Sequence, residues 1–196
     1  MHNSSYQHMQ RLVATYLRPE QAIRAIDIGS YDVNGSYRAL FGQSKWHYTG
    51  VDLEAGPGVD IVLKSPYHLP FRTGSVDVIV SGQAFEHIEH FWMTWMEMQR
   101  VLREGGLIFL IAPSRGPEHR YPQDCWRFYP DGYRALAKLG NFELLEVQTD
   151  WQPHEDAGSA AWGDTVGVFR SSGMGLVSRL GLALARFGMK MHSPRG

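Results

Sequence analysis

The chain has 196 residues, enough for one domain with a full core and too few for two. Hydrophobic residues at 43% and charged residues at 20% are the proportions of an ordinary globular protein, which excludes a disordered or fibrous chain. The formal net charge of −1 gives no overall positive field for a nucleic acid partner, and the single cysteine, Cys125, excludes an internal disulfide.

The opening stretch "MHNSSYQHMQ" lacks the basic start and apolar run of a signal peptide. No stretch approaches the roughly 18 apolar residues of a membrane span, so a cytoplasmic location is expected. A first helix is predicted over "SYQHMQRLVATYL", where Met9, Leu12, Val13 and Leu17 share a stripe. The strand "RAIDIG" (24–29) follows, then a polar turn, and Gly35 opens what reads as a second helix. Strands continue at "HYTGVD" (47–52), "DIVLK" (60–64) and "VDVIVSG" (76–82). The helix "FWMTWMEMQRVLREGG" carries Phe91, Trp95, Met98 and Leu102 on one face, with Gly105 as its stop. The near-continuous apolar run "GLIFLIAP" (106–113) reads as a central strand covered on both faces. A helix over "PDGYRALAKLG" starts at a proline and stops at Gly140. The strands "FELLEVQTDW" (142–151) and "DTVGVFR" (164–170) have only a loop between them, so they should pair antiparallel. Alternating strands and helices imply a mostly parallel sheet with right-handed crossovers.

Ligands bind such sheets beyond the carboxyl ends of the strands. Asp27 and Gly29 sit at one such end, where Gly29 would let a ligand approach the backbone and Asp27 would accept from a cationic group or orient the loop amides. Ser30, Tyr31 and Asp32 follow. A pyrophosphate would be crowded by Tyr31 and repelled by Asp32, which disfavours a nicotinamide dinucleotide and favours a zwitterionic or cationic ligand. Asp52 ends the next strand, placed for a ribose diol, and Leu53 beside it can pack on an adenine face.

The pieces "AIDIGSYDVNG", "YTGVDLEAGPGVDIV", "LPFRTGSVDVIVSGQAFEHI" and "EMQRVLREGGLIFLIAP" have the order and spacing of class I S-adenosylmethionine-dependent methyltransferases. They resemble the small-molecule, type 11-like group most. The resemblance is strong from Arg24 to Pro113 and continues more weakly to Arg170. It implies an α/β, Rossmann-like fold: a seven-stranded sheet in the order 3-2-1-4-5-7-6, strand 7 antiparallel, with helices on both faces. It implies S-adenosyl-L-methionine as cofactor, with Asp27, Gly29 and Ser30 shaping the methionine pocket and Asp52 and Leu53 at the nucleoside. By the same mapping Ser65 lies near the adenine, and Ser81 and Gln83 lie beside the methyl donor. Two positions depart from the pattern: Tyr31 stands where a further glycine is common, and Ser65 where Asp is common.

Two segments offer an acceptor site. In "FEHIEHF", His87 falls just past the fourth strand and can accept a proton near neutral pH, or else pack and cap the loop. The two histidines and two glutamates there lack a third distant ligand, so no metal is expected. In "PSRGPEHRYPQDCWRFYPDG", Arg115, Arg120 and Arg127 can clamp a carboxylate or phosphate, and His119 and Asp124 can act as a base or a hydroxyl-binding pair. Trp126, Phe128 and Tyr129 form a stacking platform, unless Trp126 and Phe128 seal the core. Nothing marks Cys125 as a nucleophile.

Residues 1–172 therefore read as the methyltransferase domain and 173–196 as a basic amphipathic tail. The tail's helical spacing suits packing on its own domain, a homodimer contact or a peripheral membrane contact. The expected function is methyl transfer to a small-molecule acceptor, with the hydroxyl of a sugar or natural product preferred to nitrogen. The alternative is a non-catalytic S-adenosylmethionine-binding module that serves a partner methyltransferase.

Overall fold

A computed structural model describes residues 2–173 together with Gly181 and Leu184. The expected tail helix, with its dimer or membrane contact, falls outside this set but for those two residues.

Seven strands form one sheet in the order β3-β2-β1-β4-β5-β7-β6. They are β1 (Ile23–Ile28), β2 (Trp46–Asp52), β3 (Ile61–Val62), β4 (Val76–Gly82), β5 (Leu102–Pro113), β6 (Phe142–Thr149) and β7 (Asp164–Ser171). β1 pairs in parallel with β2 and β4, β2 with β3, and β4 with β5. β7 runs antiparallel between β5 and β6, as the short connection from β6 requires. Ile79, Val80, Ile108, Phe109, Leu110 and Ile111 are fully buried, because β4 and β5 are covered on both faces.

Each face has its own core. On one, α2 (Phe91–Val101) and α3 (Pro130–Gly140) lay Trp95, Met98 and Leu136 over Ile79, Ile108 and Phe169. Trp95 is 0% exposed, rests edge-on against Phe169, and donates its indole N–H to Leu136 O at 2.8 Å. At ~25 cal/mol per Å², burying a side chain of that size contributes roughly 4–6 kcal/mol. On the other face, α1 (Asn3–Tyr16) seats Met9, Leu12 and Val13 against Val78, Val80, Phe109 and Val166. Leu17 is already extended, and Pro19 two residues on keeps the chain from returning to helix.

Two sequence expectations change here. The crossover from β1 to β2 holds one 3₁₀ turn, Tyr37–Phe41, instead of an α-helix. Gly35 and Gly42 bracket too short a segment for more, and burial of Tyr37 and Phe41 fixes the turn. α2 ends at Val101, short of Gly105, because Leu102 pairs with Val76 and starts β5. The register then jumps to Val78↔Leu107, and Gly105, at φ +71°, occupies the resulting bulge. α3 closes on Asn141, whose left-handed φ of 53° lets its N–H reach back to Ala137 O. A short α4 (Ala157–Ala160) interrupts the loop before β7.

Candidate active site

The candidate cofactor and acceptor residues lie at or follow the carboxyl ends of β1, β2, β3, β4 and β5 along the chain. Gly29, at φ +82°, turns the chain, and the N–H groups of Gly29 and Ser30 both donate to Val51 O, at 3.0 and 3.2 Å. A Cβ built on Gly29 would lie 2.4 Å from the Ala84 Cβ. The glycine therefore makes room for the loop after β4. Ser30 is buried, and its hydroxyl has no hydrogen-bond partner. The Tyr31 ring covers Gly56, so the residue that replaces a glycine walls the turn against the 54–59 loop.

Asp27 is 3% exposed and accepts a hydrogen bond from the Tyr48 hydroxyl. Burial raises its pKa to about 7, against the lowering effect of that bond. Asp27 orients β1 and β2 and does not reach outward. Asp52 does: its carboxylate accepts from the backbone N–H groups of Leu53 at 2.6 Å, Tyr31 at 3.0 Å and Glu54 at 3.3 Å. A carboxylate offers about four acceptor positions, so one remains for a hydroxyl. Leu53 beside it is 47% exposed.

Ser65, half-buried, turns its hydroxyl to Tyr67 N. Ser81 is fully buried and donates to Ile28 O at 2.9 Å, which ties β4 to β1 and removes it from any ligand surface. Gln83, at φ 60°, donates to Asp164 Oδ1 at 2.8 Å. Asp164 also accepts from Ser4 Oγ and meets His2 Nε2 at 3.1 Å, so the start of α1 is latched across this edge. Burial pushes the Asp164 carboxyl up, yet its bonds to His2, Ser4 and Gln83 hold it below the usual carboxylate range. The latch was not legible in sequence, because Ser4 and Asp164 are far apart along the chain.

The segment after β5 folds back over the 3₁₀ turn Phe85–His87. The Glu86 carbonyl accepts from Cys125 N at 2.8 Å and Trp126 N at 3.2 Å, and Gln123 Nε2 donates to His87 O at 3.0 Å. This brings His87 and His119 together, with ring centroids 4.7 Å apart. Asp124 accepts both guanidinium branches of Arg127, at 2.6 and 2.8 Å, and the His119 N–H at 2.9 Å. The Arg127 bonds hold the Asp124 carboxyl far below its usual range, so it stays ionised and positions His119 instead of taking protons. Burial lowers the His87 pKa.

The arginines expected to grip an anion are engaged within the protein. Arg115 donates to the carbonyls of Asp150, Trp151 and Ala160, Arg120 pairs with Glu118, and Arg127 is held by Asp124. Phe128 is in the core, as one of its two readings had it. Trp126 donates its indole N–H to Ile88 O and Glu89 O and keeps part of its ring at the surface. With Phe91, Tyr129 and Gly132 it lines an open groove of about 480 Å³. Cys125 is exposed. Glu86, which sequence reading did not single out, is 0% exposed, and both its carboxylate oxygens lack a hydrogen-bond partner.

The sheet order with its antiparallel β7, and a carboxylate at the end of β2 facing the turn after β1, define the class I methyltransferase architecture. Residues 26–110 match the family described as a methyltransferase domain. An uncharacterized methyltransferase of Mycolicibacterium gilvum (strain PYR-GCK) is 30% identical over 157 residues, covering 72% of this chain and 59% of that protein. Another, from Mycobacterium sp. (strain KMS), is 38% identical over 98 residues, 43% of this chain; that match spans only 39% of the relative's length. The 1,6-didemethyltoxoflavin-N1-methyltransferase of Burkholderia thailandensis, solved with bound 1,6-didemethyltoxoflavin and S-adenosylhomocysteine, superposes with a TM-score of 0.67. It covers 86% of this chain and 79% of its own at 15% identity, a likeness of fold. Over residues 26–110 and in its sheet order, the chain is similar to the class I S-adenosylmethionine-dependent methyltransferases.

The residues at the cradle fit that cofactor. Asp52 has one acceptor position to spare beside an exposed leucine, and Ser30 has a buried hydroxyl without a partner.

Proposed function

We propose that the chain transfers a methyl group from S-adenosylmethionine to the hydroxyl of a small-molecule acceptor. Asp52 would hold the ribose, Leu53 the adenine face, and the turn at Gly29–Ser30 the methionine end. When bound, the cofactor supplies a methyl group already activated on a sulfonium, so the protein's task is to position the acceptor, exclude water and manage a proton. The observation that carries the reading is the His87–His119 pair at the end of β4, where Asp124, braced by Arg127, accepts the His119 backbone N–H and Gln123 O faces the His87 ring. A hydroxyl acceptor needs a proton acceptor and an ionised carboxylate does not, so imidazoles at this place favour oxygen. His87 Nδ1 lies 2.5 Å from Gln123 O, and a carbonyl can only accept; Nδ1 therefore carries the proton and Nε2 is free to take one. The open groove at Trp126 and Tyr129 gives a ring-sized acceptor an apolar face on which to stack.

The reading is tested by following an isotope-labelled methyl group into a panel of sugars and hydroxylated acids. With an accepted substrate, His87→Ala should lower turnover by about 10²- to 10⁴-fold while cofactor affinity stays unchanged. Full turnover in both His119→Ala and His87→Ala would remove the imidazoles from the chemistry.

A further inference from the structure

We propose that Glu86, His87 and His119 form a binding site for a divalent first-row metal ion such as zinc. Their ligand atoms all lie within 4.8 Å of one another, and His87 Nε2 is 3.7 Å from Glu86 Oε1. Donors around a tetrahedral zinc sit about 3.3 Å apart, given bonds of about 2.0–2.1 Å, so a modest contraction of the three side chains closes the site.

Three observations point to a ligand and not to a chance cluster. Both oxygens of Glu86 are buried without a hydrogen-bond partner, an arrangement that is costly for a carboxylate unless a cation or proton is supplied. His87 is oriented as metal-binding histidines are: the bond from Nδ1–H to the Gln123 carbonyl fixes the tautomer and turns the Nε2 lone pair toward Glu86. His119 is positioned through its backbone N–H on Asp124 Oδ2, and its buried Nδ1, 3.3 Å from that oxygen, has no hydrogen-bond partner. Two imidazoles and one carboxylate suit zinc, iron or cobalt better than magnesium or calcium, which prefer oxygen throughout. Three protein ligands leave a coordination position open, and the site lies at the sheet edge where the acceptor is proposed to bind. With the ion bound, His87 Nε2 is a ligand and not a base, and the ion at the open position would acidify the acceptor hydroxyl in its place; that part alone rests on the methyl-transfer reading.

A second grouping, His8 with Asp150 and Asp164, shows the contrast. His8 is bonded to Asp150 at 2.7 Å, and Asp164 serves His2, Ser4 and Gln83, so these groups are already satisfied.

The test uses the metal alone, so it is independent of cofactor and acceptor. Metal-stripped protein is titrated with Zn²⁺ by calorimetry, and with Co²⁺ by visible absorption. One equivalent should bind with a Kd of about 1 μM or tighter, and the Co²⁺ complex should show the intense d–d bands of a low-coordinate site. Loss of an outer hydrogen bond costs such sites about 10- to 100-fold, so Glu86→Gln and His119→Ala should each weaken binding by about 100-fold or more. His8→Ala should leave both signals unchanged. Failure of the parent to bind either ion, or d–d bands that survive Glu86→Gln, would overturn the proposal. Either result leaves the methyl-transfer reading standing, whereas a protein that binds zinc but fails to bind S-adenosylmethionine would overturn that reading and leave the metal site in place.

Discussion

Asp27 and Asp52 are both acids at the carboxyl ends of neighbouring parallel strands, and their surroundings give them different work. Asp52 is met by three backbone N–H groups and keeps an acceptor position facing out. Asp27 is enclosed with Tyr48, and burial raises its pKa from 3.8 to about 7. Between about pH 4 and 7 the folded protein holds a proton on Asp27 that the unfolded chain has released. Stability from this group is therefore greatest at low pH, falls as pH rises through that window, and is level above it. At 1.36 kcal/mol per pH unit the loss is about 4 kcal/mol. Asp27→Asn keeps an oxygen for Tyr48 without the charge. Urea titrations should show the variant gaining on the parent by up to about 4 kcal/mol between pH 4 and pH 8. A difference that stays constant with pH would mean that Asp27 ionises like an exposed acid. The sequence placed both acids at strand ends; it carried no sign of Tyr48, which reaches Asp27 only through the β1–β2 pairing.

At the scale of elements, the turn after β1 and the loop after β4 are one packed unit. Gly29 has a positive φ and lies against Ala84, so Gly29→Ala meets both backbone strain and a clash. Chemical denaturation should show a loss of about 2–6 kcal/mol, since each of the two sources costs about 1–3 kcal/mol. Adding Ala84→Gly should recover the part owed to the clash, and a double-mutant cycle with no coupling would show that the two loops do not press on each other. Periodicity located α1, α2 and α3 because their apolar stripes match the cores they cover. It misjudged the segment after Gly35 and the end of α2. In both places tertiary pairing prevailed over local propensity: Tyr37 and Phe41 anchor a single turn, and Leu102 is claimed by Val76.

At the scale of the molecule, the strand order was legible because it follows from alternation, short connections and motifs that resemble one family. The acceptor side was legible only as a concentration of residue types. Its arginines serve the protein's own carbonyls and carboxylates, and its one buried unpartnered acid, Glu86, acquires meaning only when residues 113–129 fold back onto it. The cofactor cradle at β1 and β2 underlies the whole functional account. Calorimetric titration with S-adenosylmethionine and S-adenosylhomocysteine, with NADH as control, tests it most directly. The account predicts micromolar binding of both sulfur nucleotides, none of NADH, and a loss of about 10-fold or more in Asp52→Ala, the cost of roughly 1.4 kcal/mol of hydrogen bonding to the ribose. Absence of binding by the parent, or an Asp52→Ala protein that binds as tightly, would contradict it.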